Sequence, residues 1–281
     1  MDSKKNRLTR CMRLLAGIMF GAVLCSPSSA HEFWVMPDTF VTPTDVPVNL
    51  NLYVGQYFDG ELVPLSGQYV AQFRHFSLQG KEDLQRRVPA VSAGGMPLLL
   101  SGAGTHLLAV DTHPNSVKLS ADQFHYYLID EGLEPILALR KAAGQSAAPS
   151  RERYRRHIKT LISVDGKSDD TALQRTGQRL ELVPTSDPAA GHAGETLNFK
   201  LLFDDKPLAG ALVKAWHKKD GQTMLIRVRS DANGITRVAL PVAGRWMLSV
   251  VHMLPVQNDP DYDWESFWGN LTFQLDISAE K

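Results

Sequence analysis

Hydrophobic and polar residues alternate along much of this 281-residue chain, and this period-two pattern predicts strands with one buried face. The clearest stretch is 48–54, in which valine and leucine at every second position are separated by asparagine and tyrosine. Glycine and proline mark turns between this stretch and its neighbours. The further strands predicted in the first half of the chain cover residues 31–36, 69–78, 96–100 and 106–110.

The pattern becomes helical after residue 119. Ser120 and Gln123 have the spacing of a capping box, which satisfies free backbone amides at the start of a helix. Pro135 is suited to the first turn of a second helix that runs through Leu139. Two short helices are therefore predicted here.

A third helix is predicted from Ser150 to Ile162, because Tyr154, Ile158 and Leu161 would then share one helical face. The same segment is strongly basic, and a run of Lys and Arg is typically a solvated face. We therefore expect residues 120–165 to form a short helical segment.

From residue 179 onward the chain is again β-rich. Seven short strands with turn signals between them indicate a small antiparallel sandwich. Residues 207–213, 230–234 and 244–246 resemble the transthyretin-like type of Ig-like module. The predicted strands cover residues 180–183, 196–203, 208–217, 224–228, 236–240, 246–252 and 271–277.

Together these elements predict a mainly β protein with two β-sandwich domains, Ig-like or transthyretin-like, and a short helical segment between them. The N-terminal β-rich domain would cover 31–119, the helical segment 120–165 and the C-terminal sandwich 177–278. Residues 1–30 are assigned to a signal peptide.

That leader has a basic stretch at 1–13, an apolar run at 14–24 and the small residues 28–30. This is the pattern of a cleavable secretory signal peptide. The apolar run is about half of the roughly 20 residues that cross a bilayer, so no membrane span is expected. Cleavage after Ala30 would make His31 the first residue of a periplasmic protein.

The remaining 251 residues would carry 25 Lys and Arg and 29 Asp and Glu, a formal charge of −4. Such a balance argues against nucleic acid as a partner. Both cysteines, Cys11 and Cys25, lie in the leader, so disulfides and thiolate metal sites are excluded from the processed chain. The signatures of zinc proteases, P-loop proteins and common hydrolases are also missing.

A terminal His31 would have special chemistry. Its α-amino group has an ordinary pKa near 7.7–8.0, so it gives up a proton to a metal easily, and imidazole is the commonest metal-binding side chain. The amine and Nδ1 could therefore chelate one ion. Glu32 would point away from His31 in a strand and is not counted as a ligand.

Three internal residues are candidate ligands. His252 ends a predicted strand and precedes the segment 258–268, in which four carboxylates alternate with four aromatic residues in a predicted loop. Glu265 of that segment, or His217, could complete the site. The alternative for each histidine is a hydrogen-bonded packing role.

The chain also resembles a bacterial periplasmic family of unknown function that is often labelled as a nickel uptake transporter family. This resemblance implies a two-part β-rich periplasmic protein connected with nickel or cobalt acquisition, often together with TonB-dependent outer-membrane receptors. It places His252 inside a family motif. The segments that carry it are 30–34, 131–133, 151–154, 204–210, 244–253 and 263–268.

Three functions are compatible with these features. The favoured one is a non-enzymatic protein that binds nickel, cobalt or copper through His31, His252 and either Glu265 or His217, as an accessory to a metal transporter or TonB-dependent receptor. The second is a metal-free protein-interaction module. The third is a copper-dependent oxidative enzyme of the lytic polysaccharide monooxygenase type, which also holds copper with an amino-terminal histidine.

Overall fold

The computed structural model describes residues 32–92 and 94–276, and strands (52%) far outnumber helices (12%). The helices are α1 (Ala121–Asp130) and α2 (Glu134–Ala142), and short 3₁₀ turns cover Gln85–Arg87, Asp170–Leu173 and Pro188–Ala190. The strands are β1 (Glu32–Pro37), β2 (Val41–Thr42), β3 (Val48–Gln56), β4 (Asp59–Val63), β5 (Val70–Ser77), β6 (Gly80–Asp83), β7 (Met96–Leu98), β8 (Gly104–Thr112), β9 (Asn115–Leu119), β10 (Ser150–Val164), β11 (Leu180–Pro184), β12 (Thr196–Phe203), β13 (Lys206–Pro207), β14 (Leu212–Lys219), β15 (Gln222–Arg229), β16 (Ile235–Ala239), β17 (Gly244–Pro255) and β18 (Trp264–Leu275).

A ten-stranded sheet forms the centre of the fold. Its order is β15-β14-β17-β18-β10-β8-β5-β6, and β2 and β9 also pair with β10. β10 and β18 run parallel, with Glu152 opposite Trp264 and Thr160 opposite Thr272. Because β5 and β8 come from the first predicted domain and β14, β17 and β18 from the second, the two predicted domains share this sheet.

Two four-stranded sheets cover opposite faces of the central sheet. The sheet of β1, β3, β4 and β7 lies on the face that carries Trp216 and Ser249, named the front face here. The sheet of β11, β12, β13 and β16 lies on the face that carries Ala215 and Val250, the back face. Successive residues of a strand point to opposite faces, so each central strand contributes to both layers. The sandwich architecture and the mainly β class are confirmed.

Separate cores fill the two interfaces. On the front face Leu50 of β3 packs with Ile158 and Ile162 of β10. On the back face Phe199 and Phe273 are almost fully buried, with ring centroids 5.9 Å apart. The helices α1 and α2 cover a further part of the front face over β17 and β18.

The two short helices are confirmed, and the capping box is present. Ser120 Oγ accepts a hydrogen bond from the Gln123 amide, and Gln123 Oε1 accepts one from the Ser120 amide. Pro135 lies in the first turn of α2. Among the described residues, no helix is both long and apolar enough to cross a membrane.

The third predicted helix is wrong, because residues 150–164 form strand β10. This strand pairs with β8 and β9 on one side and with β18 on the other. Hydrogen bonding to strands on both sides outweighs the local helical spacing. The alternation of Ile158, Thr160, Ile162 and Val164 was a strand signal, since β-branched residues at every second position favour a pleated surface.

Candidate functional site

A buried carboxylate stands at the start of the described chain. Glu32 is the first residue of β1, and its Oε1 accepts a hydrogen bond from Ser249 Oγ at 2.5 Å. Ser249 Oγ in turn accepts one from Trp216 Nε1 at 2.9 Å. Only 7% of Glu32 is exposed, and no described residue donates a hydrogen bond to its Oε2. Glu32 therefore lies on the front face with one carboxylate oxygen that accepts no hydrogen bond from the described residues.

A second chain of hydrogen bonds, again from a tryptophan through a serine to a buried glutamate, lies on the same face. Glu152 Oε1 accepts hydrogen bonds from Ser266 Oγ and, at 3.2 Å, from Tyr127 Oη. Ser266 Oγ accepts one from Trp268 Nε1 at 3.1 Å. Glu152 is fully buried, and within the described part of the chain its Oε2 also has no donor.

Burial, followed by the charge of Glu131, raises the pKa of both buried carboxyl groups, Glu32 and Glu152. Burial and then the nearby charge of Glu131 raise the pKa of Glu32 to about 7. Burial likewise raises the pKa of Glu152 to about 7, although hydrogen bonds from Ser266 and Tyr127 partly offset this shift. Both carboxyl groups would therefore exchange protons near neutral pH.

Lys214 is a cation close to Glu32 and Glu131, and it already forms ion pairs. Lys214 Nζ lies 2.7 Å from Asp130 Oδ2 and 2.8 Å from Glu131 Oε1. Burial lowers the pKa of Lys214, but these two carboxylates raise it overall. Burial raises the pKa of Glu131, and Lys214 opposes this rise. Among the described ion pairs none includes Glu32.

Glu32, Glu131, Glu152 and Lys214, with their hydrogen-bond partners, form the front-face cluster. Composition and spacing did not point to it. Glu131, Glu152 and Trp268 nevertheless belong to the segments 131–133, 151–154 and 263–268 that carry the family resemblance. The signal was thus present in the motifs. What the sequence lacked was the pairing of β10 with β18, which brings distant segments to one face.

His252 lies on the other side of the sheet. Its ring centroid is 4.4 Å from that of Phe203 on the back face. Burial lowers the pKa of His252, and Asp204, which forms a bidentate ion pair with Arg179 at 2.7 Å, partly opposes this. Since Ser249 and His252 are three residues apart on one strand, Glu32 and His252 occupy opposite faces of β17.

Glu265 is engaged with arginines. The predicted loop 258–268 becomes strand at Trp264, and this places Glu265 beside β10. Its Oε1 accepts hydrogen bonds from Arg153 Nε and Arg155 Nε, each at 3.2 Å. Arg153 and Arg155 of the basic segment are therefore paired with Glu265, which is not free for a metal ion.

His217 and His252 are not brought together. His217 lies opposite Trp246 of β17. Trp246 and His252 are six residues apart on that strand, so at about 3.3 Å per residue they are separated by roughly 20 Å. His217 Nδ1 donates to the carbonyl oxygen of Arg245 at 2.9 Å. His217 is thus hydrogen-bonded to the backbone near the start of β17 and is far from His252.

His31 itself lies outside the described residues. In the ranges 32–92 and 94–276, no group of three or more His, Cys, Asp or Glu side chains is arranged to hold a metal ion. A metal centre made only of His252, Glu265 and His217 is therefore not assembled, and the terminal chelate at His31 stays a prediction.

Residues 28–254 match a family described as "Domain of unknown function (DUF4198)". The chain belongs to this family. The front-face cluster lies largely within the matched range, since Glu32, Ser249, Glu131 and Glu152 all fall inside it. The DUF4198 description names no metal and no activity.

No curated protein matches this DUF4198 chain. Among solved structures, it is similar over 87% of its length to a tetra-tandem repeat in the extending region of a large adhesion protein, with 10% identity and a TM-score of 0.21, and it spans 49% of that chain. It is also similar over 88% of its length to a chain of a mouse coronavirus receptor-binding domain complexed with its murine receptor, with 12% identity, full coverage of that chain and a TM-score of 0.20. These scores are too low to support an argument about function.

Proposed function

We propose that this DUF4198 protein is exported to the periplasm and binds a divalent ion of nickel, cobalt or copper at a processed N-terminus that begins with His31. Binding would make it an accessory of metal uptake rather than an enzyme. The observation that supports this proposal is the environment of Glu32, which is covalently joined to His31.

Glu32 is a buried carboxyl group that forms no ion pair with any described residue, and the nearby charge of Lys214 only partly offsets the rise of its pKa to about 7. Burying an unpaired carboxylate is costly, so such groups either stay protonated or acquire a positive neighbour. Lys214 forms its ion pairs with Asp130 and Glu131, and its charge only partly stabilises the Glu32 carboxylate. Cleavage after Ala30 would create a charged amine, or a metal-bound one, on the residue adjoining Glu32.

The amine and imidazole of His31 are nitrogen ligands, which suit nickel, copper and cobalt. Glu32 points away from His31 in a strand and is not a ligand, and its carboxylate would contribute negative charge near the ion. His252 is separated from this point by the thickness of the central sheet, so the ligand set is centred on His31 alone.

Calorimetric titration with Ni²⁺ and Cu²⁺ tests this proposal. Protein that begins at His31 should bind one equivalent, and protein that keeps Ala30 should bind at least tenfold more weakly, about 1.4 kcal/mol, because the α-nitrogen of His31 is then a peptide amide. Equal affinities would exclude the terminal amine from the site.

Three variants in the processed protein locate the ion. Glu32→Gln should weaken binding several-fold because it removes the adjoining negative charge. The matched change Glu61→Gln, at an exposed position of β4, should leave the affinity unchanged. His252→Ala should also change it by less than about twofold, and a large loss there would contradict the placement on the front face.

The same titration separates the other two functions. A protein-interaction module would take up no stoichiometric metal. A copper-dependent oxidative enzyme would consume oxygen or peroxide when copper, a reductant and a glycan are supplied together. A metal transporter or TonB-dependent receptor is proposed as the partner, and co-purification with the processed protein would identify it.

A further inference from the structure

A second group of polar side chains lies at the far edge of the central sheet, away from the front-face cluster. His75 of β5 stands directly opposite Glu82 of β6 in the antiparallel pair. Both line an open cavity of about 360 Å³, together with the polar side chains of Ser77, Gln79 and Ser101. Directly opposed residues share one face, so His75 and Glu82 point into the same space.

A chain of hydrogen bonds determines which nitrogen of His75 carries its proton. His106 Nε2 lies 2.9 Å from the carbonyl oxygen of Gly102, which can only accept, so this nitrogen is protonated. Neutral His106 then has a lone pair on Nδ1, and His75 Nε2, 2.8 Å away, must donate to it. The lone pair of His75 is therefore on Nδ1.

Both rings are neutral near pH 7. Burial and then the neighbouring His106 lower the pKa of His75 to about 4. Burial also lowers the pKa of His106, although its bond to Gly102 opposes this. Protonation therefore does not occupy Nδ1 at neutral pH.

The bare Nδ1 of His75 faces a carboxylate oxygen. Glu82 Oε2 lies 3.7 Å from His75 Nδ1, while Arg87 donates to Glu82 Oε1 at 2.8 Å. Two lone pairs that face each other across this gap repel unless a cation lies between them. Ligands at roughly 2.0–2.2 Å from one ion are separated by about 3–4 Å, which matches the observed gap.

From this geometry we infer that His75 Nδ1 and Glu82 Oε2 form a second binding site, for a divalent transition ion of the zinc class. His106 and the Gly102 carbonyl are the positioning groups, because a metal-binding imidazole usually donates its other N–H to such a partner. Arg87 orients the carboxylate through its other oxygen. Water and the hydroxyl and amide groups of the cavity would complete the coordination.

Only two strong ligands are present and Arg87 adds a positive charge, so the affinity should be moderate, in the micromolar range or weaker. The site uses none of the residues of the proposed N-terminal site. Its presence or absence therefore does not depend on the outcome of that first proposal.

Zn²⁺ titration of protein that begins at Ala30 tests the inference, because in this form the α-nitrogen of His31 is a peptide amide and the proposed terminal chelate is absent. We expect one equivalent to bind, with a change in the ring nitrogen NMR signals of His75 at Nδ1. Glu82→Gln should weaken binding at least fivefold, and His75→Ala at least tenfold. Glu82 is half-exposed, so its variant should fold even if that of His75 does not.

Matched controls are His125→Ala, at an exposed position of α1, and Glu61→Gln on β4. Neither should alter Zn²⁺ binding. His106→Ala should weaken binding and release His75 from its single tautomer, which a merely structural role would not do. The inference is overturned if Zn²⁺ leaves the His75 ring signals unchanged, or if Glu82→Gln binds Zn²⁺ as well as the parent protein.

Discussion

Ser249 donates a hydrogen bond to Glu32 across 217 residues of sequence and thereby attaches the first described strand to the front face of the central sheet. Two other front-face contacts act in the same way. Asn270 Nδ2 donates to the Phe33 carbonyl at 2.8 Å, and Thr272 Oγ1 donates to that of Val35 at 2.7 Å. The N-terminal segment is therefore built into the molecule, and any ion held at His31 would be attached to a rigid element.

The pH dependence of stability should report the buried carboxyl of Glu152. Its pKa is 4.5 when unfolded and about 7 when folded, so the folded protein binds more protons between these values. The unfolding free energy should fall as pH rises from about 4.5 to 7, by on the order of 3 kcal/mol. Glu152→Gln cannot ionise and should remove its share of this change, whereas Glu32, whose pKa is also raised to about 7, keeps its own share over that window.

Urea unfolding at pH 4.5, 6 and 7.5 measures this change. Glu61→Gln removes an exposed carboxyl from β4 and is the matched control. An unchanged slope in Glu152→Gln would show that Glu152 ionises alike in both states.

The ion pair between Lys159 and Glu181 should be sensitive to the loss of one partner. The nitrogen and oxygen are 3.1 Å apart and both side chains are 1% exposed. Lys159→Met leaves a buried carboxylate without its cation and should cost about 3–5 kcal/mol. Glu181 Oε1 also accepts from the Thr176 amide at 2.6 Å, so an acceptor is needed there.

The double variant Lys159→Met with Glu181→Gln keeps that acceptor and removes the charge. It should recover most of the lost stability in urea unfolding. A double variant as unstable as the single one would mean that packing, not the unpaired charge, determines the cost.

Close packing at the β3–β4 hairpin should make Gly60 intolerant of a side chain. A Cβ there would lie 2.6 Å from the Val54 carbonyl oxygen and 2.7 Å from the Trp34 ring. Gly60→Ala should destabilise the protein by about 1–3 kcal/mol. Gly94→Ala is the control, since a Cβ at that position meets nothing within 4 Å, and its melting temperature should match the parent's.

The capping box of α1 should contribute measurably to stability. Ser120→Ala removes the acceptor for the Gln123 amide and should cost about 0.5–2 kcal/mol in thermal or urea unfolding. Ser146→Ala, at an exposed position after α2, should be neutral. Equal effects of the two changes would show that the hydroxyl of Ser120 does not stabilise the helix.

Local patterns in the sequence were sufficient for much of the fold. The alternation at 48–54 predicted β3, and the seven strands predicted in the C-terminal half overlap observed strands, because side-chain period directly reflects a half-buried strand. The last of them, β18, begins at Trp264, within a predicted loop. The capping box at Ser120 predicted the start of α1, because its hydrogen bonds join residues only three positions apart. The leader and the terminal His31 lie outside the described residues and stay predictions.

Only the tertiary structure decided where β10 belongs and which side chains meet. The segment 150–164 has both a helical spacing and an alternation of β-branched residues, and it becomes a strand because neighbours on both sides satisfy its backbone. That pairing engages Glu265 with arginines, while the opposite faces of β17 separate His252 from Glu32. The pairing also brings Glu152 and Glu131 into one buried cluster. Contacts between residues a hundred or more positions apart depend on register and burial, which a local pattern does not contain.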